Sequence, residues 1–243
     1  MALFRLLAGL TCFVIGMSAA IAASTPNNVS CDGEAGASPD AWIQACSAAI
    51  QSSAAKPAEQ AIAFYNRARA YRAKRENTAA IDDYSQAIKL APDFAIAFQN
   101  RGVVYGAIGE PARAIDDYSQ AIKLQPDLAV AYNNRGVAYK ARGANALALA
   151  DFGKAIELDP ENPWAYNNRG DIHFLAGDWS KAIDDYSLAL ALEPSLSYAL
   201  FARGAAKTHR GDGFSGRADI EAALGLNPAV AAEQARDGVV PRA

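Results

Sequence analysis

The sequence predicts an all-α superhelical solenoid of five helix-turn-helix units with an extra N-terminal capping helix. Three observations carry this expectation. The chain overlays itself when slid by 34 residues: Pro92, Pro126, Pro160, Pro194 and Pro228 keep that step. Two charge ladders keep it as well, Arg67, Arg101, Arg135, Arg169 and Arg203 against Asp83, Asp117, Asp151, Asp185 and Asp219. Within units, a glycine (Gly109, Gly143, Gly177, Gly211) separates two helix-length stretches, with Arg75 in that place in the first. A fixed period in this range marks an array in which each unit buries its apolar face against its neighbours.

The 243 residues are 51% hydrophobic and 20% charged, a globular composition. The formal net charge is −3 and no basic stripe stands out, so nucleic acid and anionic membrane surfaces are poor candidate partners.

Residues 1–23 read as a signal peptide. Arg5 precedes an apolar run from Leu6 to Met17, and Ala20-Ile21-Ala22 offers a cleavage site after about Ala22. The alternative, a retained anchor, is marginal against the roughly 20 residues needed to span a bilayer. Cys12 lies inside the run behind Thr11, which disfavours a lipoprotein. After cleavage Cys31 and Cys46 remain, an even pair that suggests a disulfide in an oxidising compartment. Its loop would contribute about 3 kcal/mol.

Residues 24–60 comprise a loop tethered by this disulfide and a helix, capped by Asp40, with Trp42, Ile43, Cys46, Ala49 and Ile50 on one stripe. The stripe aligns with the second half of the later units: Cys46 matches Tyr84, and Ala49-Ile50 match Ala87-Ile88. It reads as an orphan helix closing the open end of the array.

Five units follow, at 61–94, 95–128, 129–162, 163–196 and 197–230. In the second, Ile96 to Ala107 and Pro111 to Leu124 form the two helices. Gly109 supplies the positive φ that ends the first, and Pro111 suits the first turn of the next. Residues 231–243 form a short cap, a helix over Ala229–Arg236, and a frayed tail.

The units resemble the tetratricopeptide repeat (TPR). Phe98, Gly102, Tyr105, Ala114, Tyr118, Ala121 and Pro126 carry the resemblance in the second, and Tyr132, Gly136, Tyr139, Ala148, Phe152, Ala155 and Pro160 in the third. The fourth has His173 in place of a tyrosine, the first Ala68 in place of the glycine. The fifth is worn, with Leu200, Lys207, Gly216 and Ile220 at consensus positions.

Catalytic motifs are lacking: no HExxH, Walker loop, GxSxG or zinc-type cysteine cluster occurs, and only His173 and His209 are histidines. No enzyme activity, cofactor or metal is expected. Adjacent residues in Asp82/Asp83, Asp116/Asp117 and Asp184/Asp185 point about 100° apart on a helix, so their carboxylates do not converge. The arginine ladder is expected to pair with the aspartate ladder, within or between units. As exposed bridges these would be worth about 0–1 kcal/mol each.

The resemblance implies a concave groove, lined by first helices, that takes a peptide segment of another protein. Carried onto this chain, the groove positions include Arg69, Gln99, Asn100, Asn133, Asn134, Lys140, Trp164, Asn167, Asn168, Asp171, Phe174, Tyr198 and Phe201. The amides suit an extended backbone; Trp164, Phe174, Tyr198 and Phe201 offer an apolar anchor. Ligand contact is favoured for Asn133 and Asn167, whereas helix-to-helix bonding competes equally at Asn100, Asn134 and Asn168. Some TPR proteins grip a C-terminal carboxylate with basic residues, but here Tyr65, Gln99, Val130, Asn133 and Trp164 hold those positions, which favours an internal segment. The expectation is a non-catalytic adaptor, exported to the periplasm or secreted, in the envelope of a bacterium, with no membrane contact after cleavage. Alternatives are a homo-oligomeric scaffold and a glycan- or murein-associated subunit.

Overall fold

A computed structural model describes residues 31, 37–52 and 56–236. The expected signal segment, most of the disulfide-tethered loop that follows it and the extreme C-terminal tail lie outside the described residues. The architecture is all-helical, as expected. A single helix α1 (Pro39–Gln51) precedes five antiparallel pairs: α2 and α3 (Pro57–Ala73, Asn77–Leu90), α4 and α5 (Ala95–Ala107, Pro111–Leu124), α6 and α7 (Ala129–Ala141, Asn145–Leu158), α8 and α9 (Pro163–Leu175, Trp179–Leu192), and α10 and α11 (Ser197–His209, Gly213–Leu226). The short α12 (Val230–Arg236) follows. Each helix packs on the next, and the first helices α4, α6, α8 and α10 also touch in sequence, with no comparable contact joining the second helices. The array therefore curves towards its first helices, which line the concave face.

Each pair turns by the same device. In the second unit the Gly109 amide donates to the Gly106 carbonyl (3.1 Å) and the Glu110 amide to that of Tyr105 (2.9 Å), a Schellman closure that satisfies two terminal carbonyls. It requires a left-handed residue: Gly109, Gly143, Gly177 and Gly211 have φ of 72–101°, and Arg75 takes φ 62° in the first unit. Inside each pair, small residues on the first helix admit a ring from the second. A Cβ added at Gly102, Gly136 or Gly170 would lie 2.8, 2.6 and 2.8 Å from the rings of Tyr118, Phe152 and Tyr186. The fifth unit, where Ile220 replaces the ring, closes backbone to backbone: a Cβ at Gly204 would meet the Gly216 carbonyl oxygen at 2.6 Å.

The arginine and aspartate ladders pair in all five units. Arg67 Nε donates to Asp83 Oδ2 (2.7 Å) and Nη2 to Oδ1 (2.8 Å), and the same fork joins Arg101 to Asp117, Arg135 to Asp151, Arg169 to Asp185 and Arg203 to Asp219. These bridges are not the exposed ones expected from sequence, because the aspartates are only 4–9% exposed. The bond to aspartate, foremost, holds the Arg67, Arg101, Arg135 and Arg169 pKa values above the ordinary range. At Asp219 burial acts to raise the pKa, but the bonds from Arg203 and Lys207 outweigh it and leave it lowered. The neighbouring Asp82, Asp116 and Asp184 are exposed, so each acidic doublet diverges.

The third nitrogen reaches the preceding unit. Arg67, Arg101, Arg135 and Arg203 donate through Nη1 to the hydroxyls of Ser47, Ser85, Ser119 and Ser187. At Arg169 the corresponding position is Gly153. One side chain thus bridges three helices, within and between units. Ser47 belongs to α1, so α1 stands where a second helix would stand, as the alignment of Cys46 with Tyr84 implied. Its cap differs from expectation. Ser38 caps the helix, accepting from the Ala41 amide (3.2 Å), with Pro39 first in the helix. Asp40 sits in the first turn and pairs with Lys74 at 2.7 Å. Cys31 and Cys46 form a disulfide, and Trp42 Nε1 donates to the Cys31 carbonyl at 2.9 Å.

Candidate functional site

The concave face carries an apolar ribbon at the 34-residue step: Ile62, Ile96, Val130, Trp164 and Tyr198. Ile62, Val130 and Trp164 are exposed, Trp164 by 48%, while Ile96 and Tyr198 are half-buried. Trp164 and Tyr198 lie with ring centroids 6.5 Å apart. Phe201, three residues after Tyr198 on α10, is half-buried. Phe174 is buried; its ring packs edge-on to Trp179 (5.0 Å) and His209 (5.7 Å), which stack on each other at 4.7 Å. Of the four expected anchors, Phe174 therefore supports the wall instead of presenting a face.

The amide strip bonds across units at a 35-residue step. Asn100 Nδ2 donates to the Tyr65 hydroxyl (2.8 Å) and Asn168 Nδ2 to Asn133 Oδ1 (3.0 Å), while Asn133 Nδ2 donates to Asn134 Oδ1 (3.4 Å). At Asn133 the structure thus has the helix-to-helix bonding that sequence reading ranked second. Asn167 is buried, and its Oδ1, like Gln99 Oε1, has no hydrogen-bond partner among the described residues.

The expected groove charges meet one another. Lys140 Nζ lies 2.7 Å from Asp171 Oδ2, and Asp171 Oδ1 accepts from the Tyr186 hydroxyl at 3.0 Å. This chain ties the third unit to the fourth through a buried carboxylate. Burial, first of all, raises the Tyr186 pKa well above its ordinary value, with Asp171 and Asp185 adding to it. Arg69 has its guanidinium over the rings of Trp42 (5.0 Å) and Tyr65 (5.8 Å). His173, 3.9 Å from Asp185, stands beside the Arg169 fork. Among the described residues no group of three or more His, Cys, Asp or Glu is arranged to hold a metal ion.

Sequence reading missed one feature of this face. An open cavity of about 500 Å³ lies between the second and third units, with Val103, Gly106, Tyr118, Asn134 and Val137 in its lining. The signal was present: at the register where other units have Arg72, Lys140, Phe174 and Thr208, the second has Gly106.

The TPR repeat profile matches residues 68–109, 107–143 and 138–177, and the tetratricopeptide repeat profile matches 163–196. Together they run over more than half the chain. The chain belongs to the tetratricopeptide repeat family. No curated protein matches the sequence. Among solved structures, a MamA protein is similar over 71% of this TPR chain and 94% of its own, at 23% identity and a TM-score of 0.61. MamA 41-end from Desulfovibrio magneticus RS-1 is similar over 70% and 96%, at 16% identity and a TM-score of 0.63. YrrB, described as a TPR protein with an unusual peptide-binding site, is similar over 79% and 99%, at 19% identity and a TM-score of 0.61. At these identities the likeness is one of fold.

Proposed function

We propose that this chain is a non-catalytic adaptor that binds an extended peptide segment of a partner protein along its concave face, in the bacterial cell envelope. The carrying observation is the exposed ribbon of Ile62, Val130 and Trp164 on the first helices. A surface helix kept only for folding would carry polar residues there, and contiguous exposed apolar side chains mark interaction sites. Beside that ribbon the half-buried Asn134 spends its Oδ1 on Asn133 and keeps its Nδ2 open among the described residues, a donor that serves the peptide backbone. The peptide-binding site ascribed to YrrB supports this use of the fold. The disulfide on α1 supports an oxidising, exported location, and no helix among the described residues is long and apolar enough to cross a membrane.

The test is capture from an envelope extract by wild type beside Trp164→Ala/Val130→Ser, whose side chains are exposed, so the fold is retained. A protein held by wild type and lost by the double variant supports the adaptor reading. Equal capture by both removes the groove as the site. A second reading, a homo-oligomeric scaffold, is favoured by Phe214, which is 83% exposed at the start of α11. Sedimentation of wild type and Phe214→Ser distinguishes it: a monomer in both excludes the scaffold.

A further inference from the structure

Gly106 lies inside α4 and is exposed on the concave face. Glycine there costs helix stability relative to alanine. The two reasons that explain other glycines of the array do not apply. Gly106 has no positive φ, unlike Gly109, and no ring crowds it, unlike Gly102. A Cβ at position 106 would meet only the Tyr118 hydroxyl oxygen, at 4.0 Å. What the glycine does is open the cavity of about 500 Å³ bounded by Val103, Val137 and Ala141.

The lining chemistry is one-sided. Its walls are apolar apart from Asn134 and the Tyr118 hydroxyl. Tyr118 is 4% exposed, and its hydroxyl has no hydrogen-bond partner among the described residues. Arg72, at the equivalent register one unit earlier, is exposed and makes no ion pair among them. Burial pushes the Tyr118 pKa up and Asp117 adds to this, while Arg72 acts in the opposite direction. An open phenol and an uncompensated guanidinium are donors waiting for an anionic acceptor. The apolar walls ask for a bulky hydrocarbon or aromatic group beside it.

We propose that the Gly106 notch is the specificity pocket of the groove, receiving a bulky apolar side chain from an internal acidic segment whose Asp or Glu, two residues away, faces Arg72 and the Tyr118 hydroxyl. In an extended segment, residues two apart project from the same side about 7 Å from each other, which lets one strand serve both subsites. This rests on the groove reading and adds the partner's chemistry to it.

The probes are acetylated, amidated serine-rich 11-residue peptides with the core Asp-Ser-Phe or Phe-Ser-Asp, beside counterparts in which Lys replaces Asp or Ala replaces Phe. Binding to the mature chain is read from amide chemical shifts at peptide concentrations up to the millimolar range. The expected result is that one acidic-aromatic order binds at least about tenfold tighter than both its counterparts. Gly106→Leu, which fills the notch, abolishes that preference without lowering the melting temperature, and Arg72→Glu shifts it to the lysine peptide. Binding unaffected by Gly106→Leu, no acid preference, no binding at all, or binding only by a peptide with a free C-terminal carboxylate each overturns the proposal. If Trp164→Ala/Val130→Ser loses the partner while Gly106→Leu keeps it, the notch falls and the groove stands.

Discussion

At the scale of single residues, the arginine of each first helix does more than pair with an aspartate. Its fork grips a buried carboxylate, its remaining nitrogen reaches a serine one unit back, and aromatic rings lie within 5.4–5.9 Å of the Arg67 guanidinium. Removing the arginine would strand a buried charge, which typically costs about 3–5 kcal/mol when burial is complete and less here, where the arginine is partly exposed. The fourth unit is the natural deletion, because Gly153 removes the serine opposite Arg169. Nothing lies within 4 Å of a Cβ at that position. Gly153→Ser should therefore raise stability by about 1 kcal/mol, combining a new bond with a better helix residue. Chemical denaturation checks this, with Gly153→Ala separating the helix gain from the bond. The pairing partners were legible in the sequence because both ladders share one period. The burial and the serine contact were not, since a period says which residues recur and nothing about how deeply they sit.

At the scale of elements, what was readable was the hydrogen-bonding punctuation. A glycine between the two helices of a unit marks the Schellman closure in four units, and the structure has that closure in all five. The first unit is the exception that prices the rule. Arg75 holds φ 62°, a conformation that costs a side-chain-bearing residue about 1–2 kcal/mol, partly offset by the entropy a glycine would lose. Arg75→Gly should stabilise the chain by about 0.5–1 kcal/mol. Thermal melts of the variant check this, and an unchanged or lowered melting temperature would contradict it. The fifth unit shows where the pattern runs out. Its aromatic position holds Ile220, and Gly204 and Gly216 bring α10 and α11 into direct backbone approach instead. Pair packing survived the loss of the aromatic signature because a smaller filler was matched by a closer crossing. The amide strip was half legible for a related reason. Residue type identified hydrogen-bonding capacity, but whether Asn133 bonds a ligand or Asn168 depends on inter-unit spacing, which only the assembled array sets.

At the scale of the whole molecule, the ends and the concave face divide the labour. α1 stands in for a second helix through Ser47, and at the far end Gln234 of α12 donates to the Tyr198 carbonyl at 3.2 Å. These helices cover both ends of the described array, and the apolar side chains left exposed on the first helices are the ones the proposed function uses. The measurement that tests this most directly is site-specific photo-crosslinking in the native envelope. A photoreactive residue is placed at Val137 in the groove or at Phe214 on α11. The account predicts one partner adduct from position 137 and none from position 214. Adducts from position 214 alone would contradict it and assign binding to the opposite side of the array.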